Sequence, residues 1–148
     1  MGLRKTIDIP PVWLLGFLGL SYGVAQLWPV RASGLSMLGL VLAALGLGLL
    51  LGAAAQMLAR RTTVHPHGAP AVLVTGGLFR LSRNPIYLGD ALILAGLTLW
   101  WDGAVALVLV PVFVGLITRR FIRPEEARLR AGFGPAAEAF MARTRRWI

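Results

Sequence analysis

The chain of 148 residues contains no cysteine and only six acidic residues, two histidines and two tyrosines. The missing cysteines exclude disulfides, thiolate metal sites and a cysteine nucleophile. The two histidines, His65 and His67, flank Pro66 without the spacing or further ligands of a zinc site, so no metal is expected. Glycine-rich nucleotide loops, the GxSxG elbow and the HExxH zinc motif are all absent. Charge is scarce as well, with 14% charged residues against 57% hydrophobic. A soluble domain carries about 25% charged residues, so this chain has too little polar surface to coat a globule in water. The expectation is an integral membrane protein with no large separate soluble domain.

What is present is long apolar runs. Ile9 to Val30 and Ala32 to Ala59 carry no charge, and each exceeds the roughly 20 residues that cross a hydrocarbon core. The first run is also longer than the apolar core of a signal peptide, despite Arg4 and Lys5 before it. Ile86 to Trp101 and Gly103 to Thr118 are separated only by Asp102. The Trp100-Trp101-Asp102-Gly103 sequence favours two spans joined by an interfacial turn, and Pro111 is expected to kink the last one. These runs predict an all-α bundle of four transmembrane helices over about 10–30, 33–59, 85–101 and 103–119. A cytoplasmic amphipathic helix follows in a tail over 120–148, and the whole chain, 1–148, forms one domain.

The net charge of +9 has two readings, nucleic acid or a membrane surface, and its placement decides between them. If alternate loops share a side, fourteen of the fifteen basic residues lie on one side and only Arg31 on the other. That is a positive-inside signal, placing both termini in the cytoplasm and making lipid headgroups the partner rather than nucleic acid. Gly19 and Gly23, and Gly48 and Gly52 extended by Ala44, have the spacing that lets helices approach closely.

Polar residues concentrate in two cytoplasmic segments, Arg60 to Asp90 and Arg119 to Ile148. In the first, Asn84 is placed to cap a helix whose first residue is Pro85. Free amides there, beside Arg80 and Arg83, suit an anion, although Asn-Pro also starts a helix with no function attached. In the second, Pro124 suits a first helical position, with Glu125 and Glu126 in the first turn. Pairing with Arg128 or Arg130 explains both carboxylates locally; the functional alternative is that one of them faces a cavity. Adjacent helical residues point about 100° apart, so only one is expected to do so. Asp90, one turn inside the third span, either lines a pocket or is solvated at the interface.

These two segments, in this order, resemble the superfamily of isoprenylcysteine carboxyl methyltransferases and phospholipid methyltransferases, which are integral membrane enzymes. The resemblance is carried by Thr63-Val64-His65-Pro66, Leu73-Val74-Thr75-Gly76-Gly77-Leu78-Phe79-Arg80 and Arg83-Asn84-Pro85-Ile86-Tyr87-Leu88-Gly89. It continues in Glu125-Glu126-Ala127-Arg128-Leu129, Phe133-Gly134 and Arg146-Trp147-Ile148, so it covers roughly the C-terminal 85 residues. It implies S-adenosylmethionine as methyl donor in a pocket facing the cytoplasm. Leu73 and Val74 would touch the donor and Phe79 would pack beside it. Asn84, Pro85, Ile86 and Tyr87 match the family's donor-binding motif, and Glu125 matches the first of its paired glutamates. In charge terms Arg83 suits the donor carboxylate, and Glu125 or Glu126 suits its hydroxyls, amine and sulfonium. Arg120 would lie toward the acceptor. The chain departs from the family at Ala137 and Phe140, where tyrosines are common, and at Arg145, where a proline is common; this removes acceptor contacts through those phenols.

The expected activity is therefore methyl transfer from S-adenosylmethionine to a lipid-like acceptor, favouring a carboxylate as in the isoprenylcysteine enzymes. The alternatives are a phospholipid amine N-methyltransferase and a non-catalytic membrane scaffold of the same fold. An amine must lose a proton before attack and needs a base such as Glu126 or Asp90, whereas a carboxylate wants an arginine clamp.

Overall fold

Proline at the first helical position organises the chain, because its missing N–H is one that a helix start leaves unpaired in any case. Pro10, Pro85 and Pro135 open three of the helices. The computed structural model describes residues 8–64, 68 and 71–148, so Arg4, Lys5, His65, Pro66 and His67 lie outside the described residues. In chain order the helices are α1 (Pro10–Leu27), α2 (Leu35–Ala59), a 3-10 turn (Gly77–Arg80) and α3 (Pro85–Trp100). A 3-10 helix (Ala104–Val108) leads into α4 (Leu109–Ile117), a π-helical turn (Thr118–Ile122), α5 (Arg123–Phe133) and α6 (Pro135–Arg143).

Two helical runs, Leu35–Ala59 and Ala104–Phe133, are long and apolar enough to cross a membrane. Only 17% and 28% of their apolar windows are buried inside the protein, so their greasy faces point outward, unlike the core helix of a soluble domain. The other two expected spans are shorter than predicted. At 1.5 Å per residue, the 16 residues of α3 reach only about 24 Å against a hydrocarbon core of about 30 Å. The described residues therefore hold two clear spans and two shorter apolar helices rather than four equal ones.

The tightest packing is between α2 and α3, and it does not use the glycine pairs expected from spacing. A Cβ on Gly46 would lie 2.6 Å from the Gly89 carbonyl, and Gly39 and Gly96 face each other in the same way one heptad along. Around Gly19, Gly23 and Gly48 a Cβ would meet nothing within 4 Å, and at Gly52 it would meet only Leu78. The buried row is Gly39, Ala43, Gly46 and Ala53, spaced by four, three and seven residues, which keeps it on one face of the helix. The remaining core joins α1, α3 and α4, where Phe17 meets Phe113 edge to face at 5.3 Å.

At the end of the bundle opposite the site, the Trp101-Asp102 turn is present, with Asp102 at φ 61°. The Asp102 carbonyl accepts the Val30 amide at 2.7 Å and its carboxylate lies 3.9 Å from Arg31, joining the α1–α2 and α3–α4 connections. Pro111 falls where the 3-10 helix has just become α, in a first turn that tolerates it. Pro124 lies at the start of α5 with Glu125 and Glu126 in the first turn, as expected, but that start is not a free helix end. The run from Ala104 to Phe133 is continuous, and the π turn just before Pro124 makes room for its ring, so Glu125 and Glu126 do not cap a free helix start. The tail forms two helices, not one, because Gly134 breaks it at φ 50°.

Candidate functional site

The segment between α2 and α3 is held by Gln56, a polar residue in the last turns of α2. Its Nε2 donates to the Gly76 carbonyl at 2.7 Å and its Oε1 accepts the Leu78 amide at 3.2 Å. Gly77 sits at φ 56° against this side chain, where a Cβ would collide with it. The clamp delivers Phe79 into a buried cluster with Ala53 and Phe140. Sequence reasoning missed Gln56; the available signal was an uncharged polar group inside an otherwise apolar helix.

Asn84 stands at the position before α3, but its side chain makes no capping bond there. Its Nδ2 instead donates to the Arg146 carbonyl at 2.9 Å, and Ser82 Oγ donates to the same oxygen at 3.2 Å while accepting the Asn84 amide. The Arg83 amide donates to the Arg145 carbonyl, and Trp147 Nε1 donates to Thr118 Oγ1. The segment from Arg145 to Trp147 is thus a strap across the start of α3 and the end of α4. The bond to Arg146 fixes the Asn84 side chain on the strap, and its Oδ1 accepts no amide from the first turn of α3.

The paired glutamates separate as their 100° offset requires. Glu125 Oε1 accepts from the Tyr87 hydroxyl at 2.6 Å. Glu126 faces away, with Arg146 Nε and Nη2 each donating to one of its oxygens at 2.8 Å and Arg83 Nη1 at 3.3 Å. Burial lowers the pKa of Arg83, with Glu126 opposing that effect; the hydrogen bond to Glu126 raises that of Arg146. Both guanidiniums remain charged at any physiological pH. Arg83 Nε is buried with no acceptor among the described residues.

A cavity of about 360 Å³ opens between these elements. Leu73, Val74, Phe79, Arg83, Asn84, Pro85, Ile86, Tyr87 and Glu125 all line it, so nine of the ten residues expected at a donor site share one space. Glu126 does not line it and acts from behind through Arg83. Asp90 and Arg128 add a second carboxylate and a second guanidinium, and Ile9, Pro10, Leu50 and Met57 form an apolar wall from α1 and α2. Phe140, where the family commonly has tyrosine, also lines it, while Ala137 is buried. Arg120 is elsewhere: its Nε donates to Asp8 at 2.6 Å, and it borders a different cavity beside Trp13. The residue one helical turn and a half before Glu125 points to another face of the helix, which explains the displacement.

This space lies within the roughly 300–1,000 Å³ of small-molecule sites, with apolar walls and a few convergent charges. Two carboxylates suit a cation and hydroxyls, the guanidiniums suit a carboxylate, and the apolar walls suit a flat ring. No curated protein matches the chain. No solved structure matches it either. The family model for phospholipid methyltransferase matches residues 35–136, taking in α2, the Gln56-clamped segment, the start of α3 and both glutamates. The chain belongs to that family, within the superfamily it shares with the isoprenylcysteine carboxyl methyltransferases.

Proposed function

We propose that the protein transfers a methyl group from S-adenosylmethionine to an amine-bearing lipid at the cytoplasmic membrane face. The observation that carries this reading is the placement of Asp90 and Glu125 in one cavity with Arg83, below an apolar wall. Arg83, with a buried N–H lacking an acceptor, suits the donor carboxylate; Glu125, oriented by Tyr87, suits its amine or hydroxyls. When bound, the donor supplies an electrophilic methyl carbon on a positively charged sulfur. Leu73, Val74 and Phe79 keep water from it.

The acceptor reading turns on Asp90. It is 2% exposed, and no ion pair or hydrogen bond engages it among the described residues. A carboxylate so placed attracts an ammonium and accepts its proton, leaving the nitrogen lone pair free to attack. A carboxylate acceptor needs a guanidinium clamp; Arg120, the residue expected to supply it, is held on another face by Asp8, and Arg128, the second guanidinium of the cavity, faces the Glu125 carboxylate electrostatically. The amine therefore has the better-matched surroundings. The apolar wall from α1 and α2 lets the acceptor's hydrocarbon remain in the bilayer.

The deciding experiment incubates the detergent-solubilised protein with labelled donor and a native lipid extract and identifies the labelled product. An N-methylated lipid is expected; a methyl ester would return the acceptor to the carboxylate class, and no donor binding at millimolar concentration would leave a scaffold. The proposal includes four passes with both termini cytoplasmic, supported by the fourteen-to-one division of basic residues. The cysteine-free chain allows a direct check. Ser33→Cys should react with an impermeant maleimide from outside the cell, and Ala136→Cys only after permeabilisation.

A further inference from the structure

A second cavity, of about 590 Å³, lies on the other face of α4, between it and the start of α1. Its walls include Trp13, Val112, Gly115, Leu116, Arg119 and Arg120, and none of the described residues lines both cavities. Gly115 forms a trough, because a Cβ there would meet nothing within 4 Å. Val112, Val108 and Val105, each more than half exposed, continue the apolar surface away from the arginines. From Val105 to Arg119 the helix rises about 20 Å, the reach of an extended fatty acyl chain.

The charged end is built rather than incidental. Asp8 Oδ1 accepts from both Trp13 Nε1 at 3.0 Å and Arg120 Nε at 2.6 Å, and the Arg120 guanidinium lies 5.5 Å above the Trp13 ring. Asp8 thus offsets Arg120 and fixes the indole at the mouth. Arg119, next to it and exposed, has no ion pair among the described residues. An apolar trough that ends in an indole and a guanidinium without an ion pair is complementary to an acyl chain below a phosphodiester headgroup of net negative charge.

We propose that the groove between α1 and α4 binds one anionic glycerophospholipid, with its acyl chain over Gly115 and Val112 and its phosphate on Arg119. This site is separate from the methyl-transfer cavity and does not depend on the reading given to that cavity. The lipid held here is a bound component of the protein and not the methyl acceptor.

The test is native mass spectrometry of the full-length protein released from detergent containing equal amounts of phosphatidylglycerol and phosphatidylcholine. Wild type should retain one phosphatidylglycerol in preference to phosphatidylcholine by about fivefold, the effect of one basic residue near a charged headgroup. Arg119→Gln removes the charge, and Gly115→Leu fills the trough at a position where a Cβ meets nothing within 4 Å. Each should bring the two lipids to near-equal retention while the melting temperature in lipid-free detergent stays unchanged. Equal retention in wild type, or a preference that survives in either variant, overturns the proposal.

Discussion

Tyr87 donates its hydroxyl proton to Glu125 at 2.6 Å, linking the first turn of α3 to the first turn of α5 across the mouth of the cavity. Both residues are far apart in the chain, and each belongs to a segment that carries the family resemblance. The bond occupies one oxygen of Glu125, and in the proposed function the other oxygen meets the donor.

Glu125→Ala should weaken binding of S-adenosylmethionine by about tenfold or more, since a hydrogen bond to a charged group contributes about 1.5–3 kcal/mol. Tyr87→Phe should weaken it less, because the carboxylate remains but is no longer oriented. Calorimetric titration measures both. Unchanged affinity in a folded Glu125→Ala protein removes Glu125 from the donor site.

Asp90→Asn preserves shape and removes the proposed base. Turnover should fall by about 100-fold or more, the usual contribution of general base catalysis, with donor affinity nearly unchanged. Full turnover in this variant would exclude Asp90 as the proton acceptor.

Arg146→Ala should destabilise the protein by about 1–3 kcal/mol. Breaking a fully buried pair costs about 3–5 kcal/mol, and the smaller figure allows for an Arg146 side chain that is 34% exposed and for Arg83, which still faces Glu126. Arg146→Lys should recover part of the loss, because an ammonium keeps the charge but not the two parallel bonds. Thermal unfolding in detergent reads the series.

Gly96→Ala should destabilise by about 1–3 kcal/mol, because its Cβ would collide with the backbone of Ala43. Gly48→Ala, with nothing within 4 Å, should be neutral or slightly stabilising through helix propensity. Equal effects at the two positions would mean that the α2–α3 seam does not run through Gly96.

Features that depend on local chemistry were legible before the fold was known. The lengths of the apolar runs, proline at Pro85, and the interruption at Trp101-Asp102 are properties of contiguous residues. The divergence of Glu125 and Glu126 also followed from helical geometry alone, although spacing did not say which would meet a cavity. That depended on the rotation of α5, set by its continuity with α4 through the π turn and by Arg83 and Arg146 on the far side.

The α2–α3 seam was beyond the reach of spacing for a similar reason. A glycine-rich helix offers several small-residue rows, and only the partner's own glycines, Gly89 and Gly96, select Gly39 and Gly46 over Gly48 and Gly52. Arg120 was placed by motif order near the acceptor, yet its side chain, on the π turn after α4, pairs with Asp8, 112 positions away. The strap from Arg145 to Trp147 depends on hydrogen bonds spanning 62 and 64 positions, from Asn84 and Ser82 to Arg146. Composition, run length and motif order determine the membrane-helical class and the family. Which side chains share a cavity is decided only when helices acquire neighbours, because packing sets the rotation of each helix about its axis.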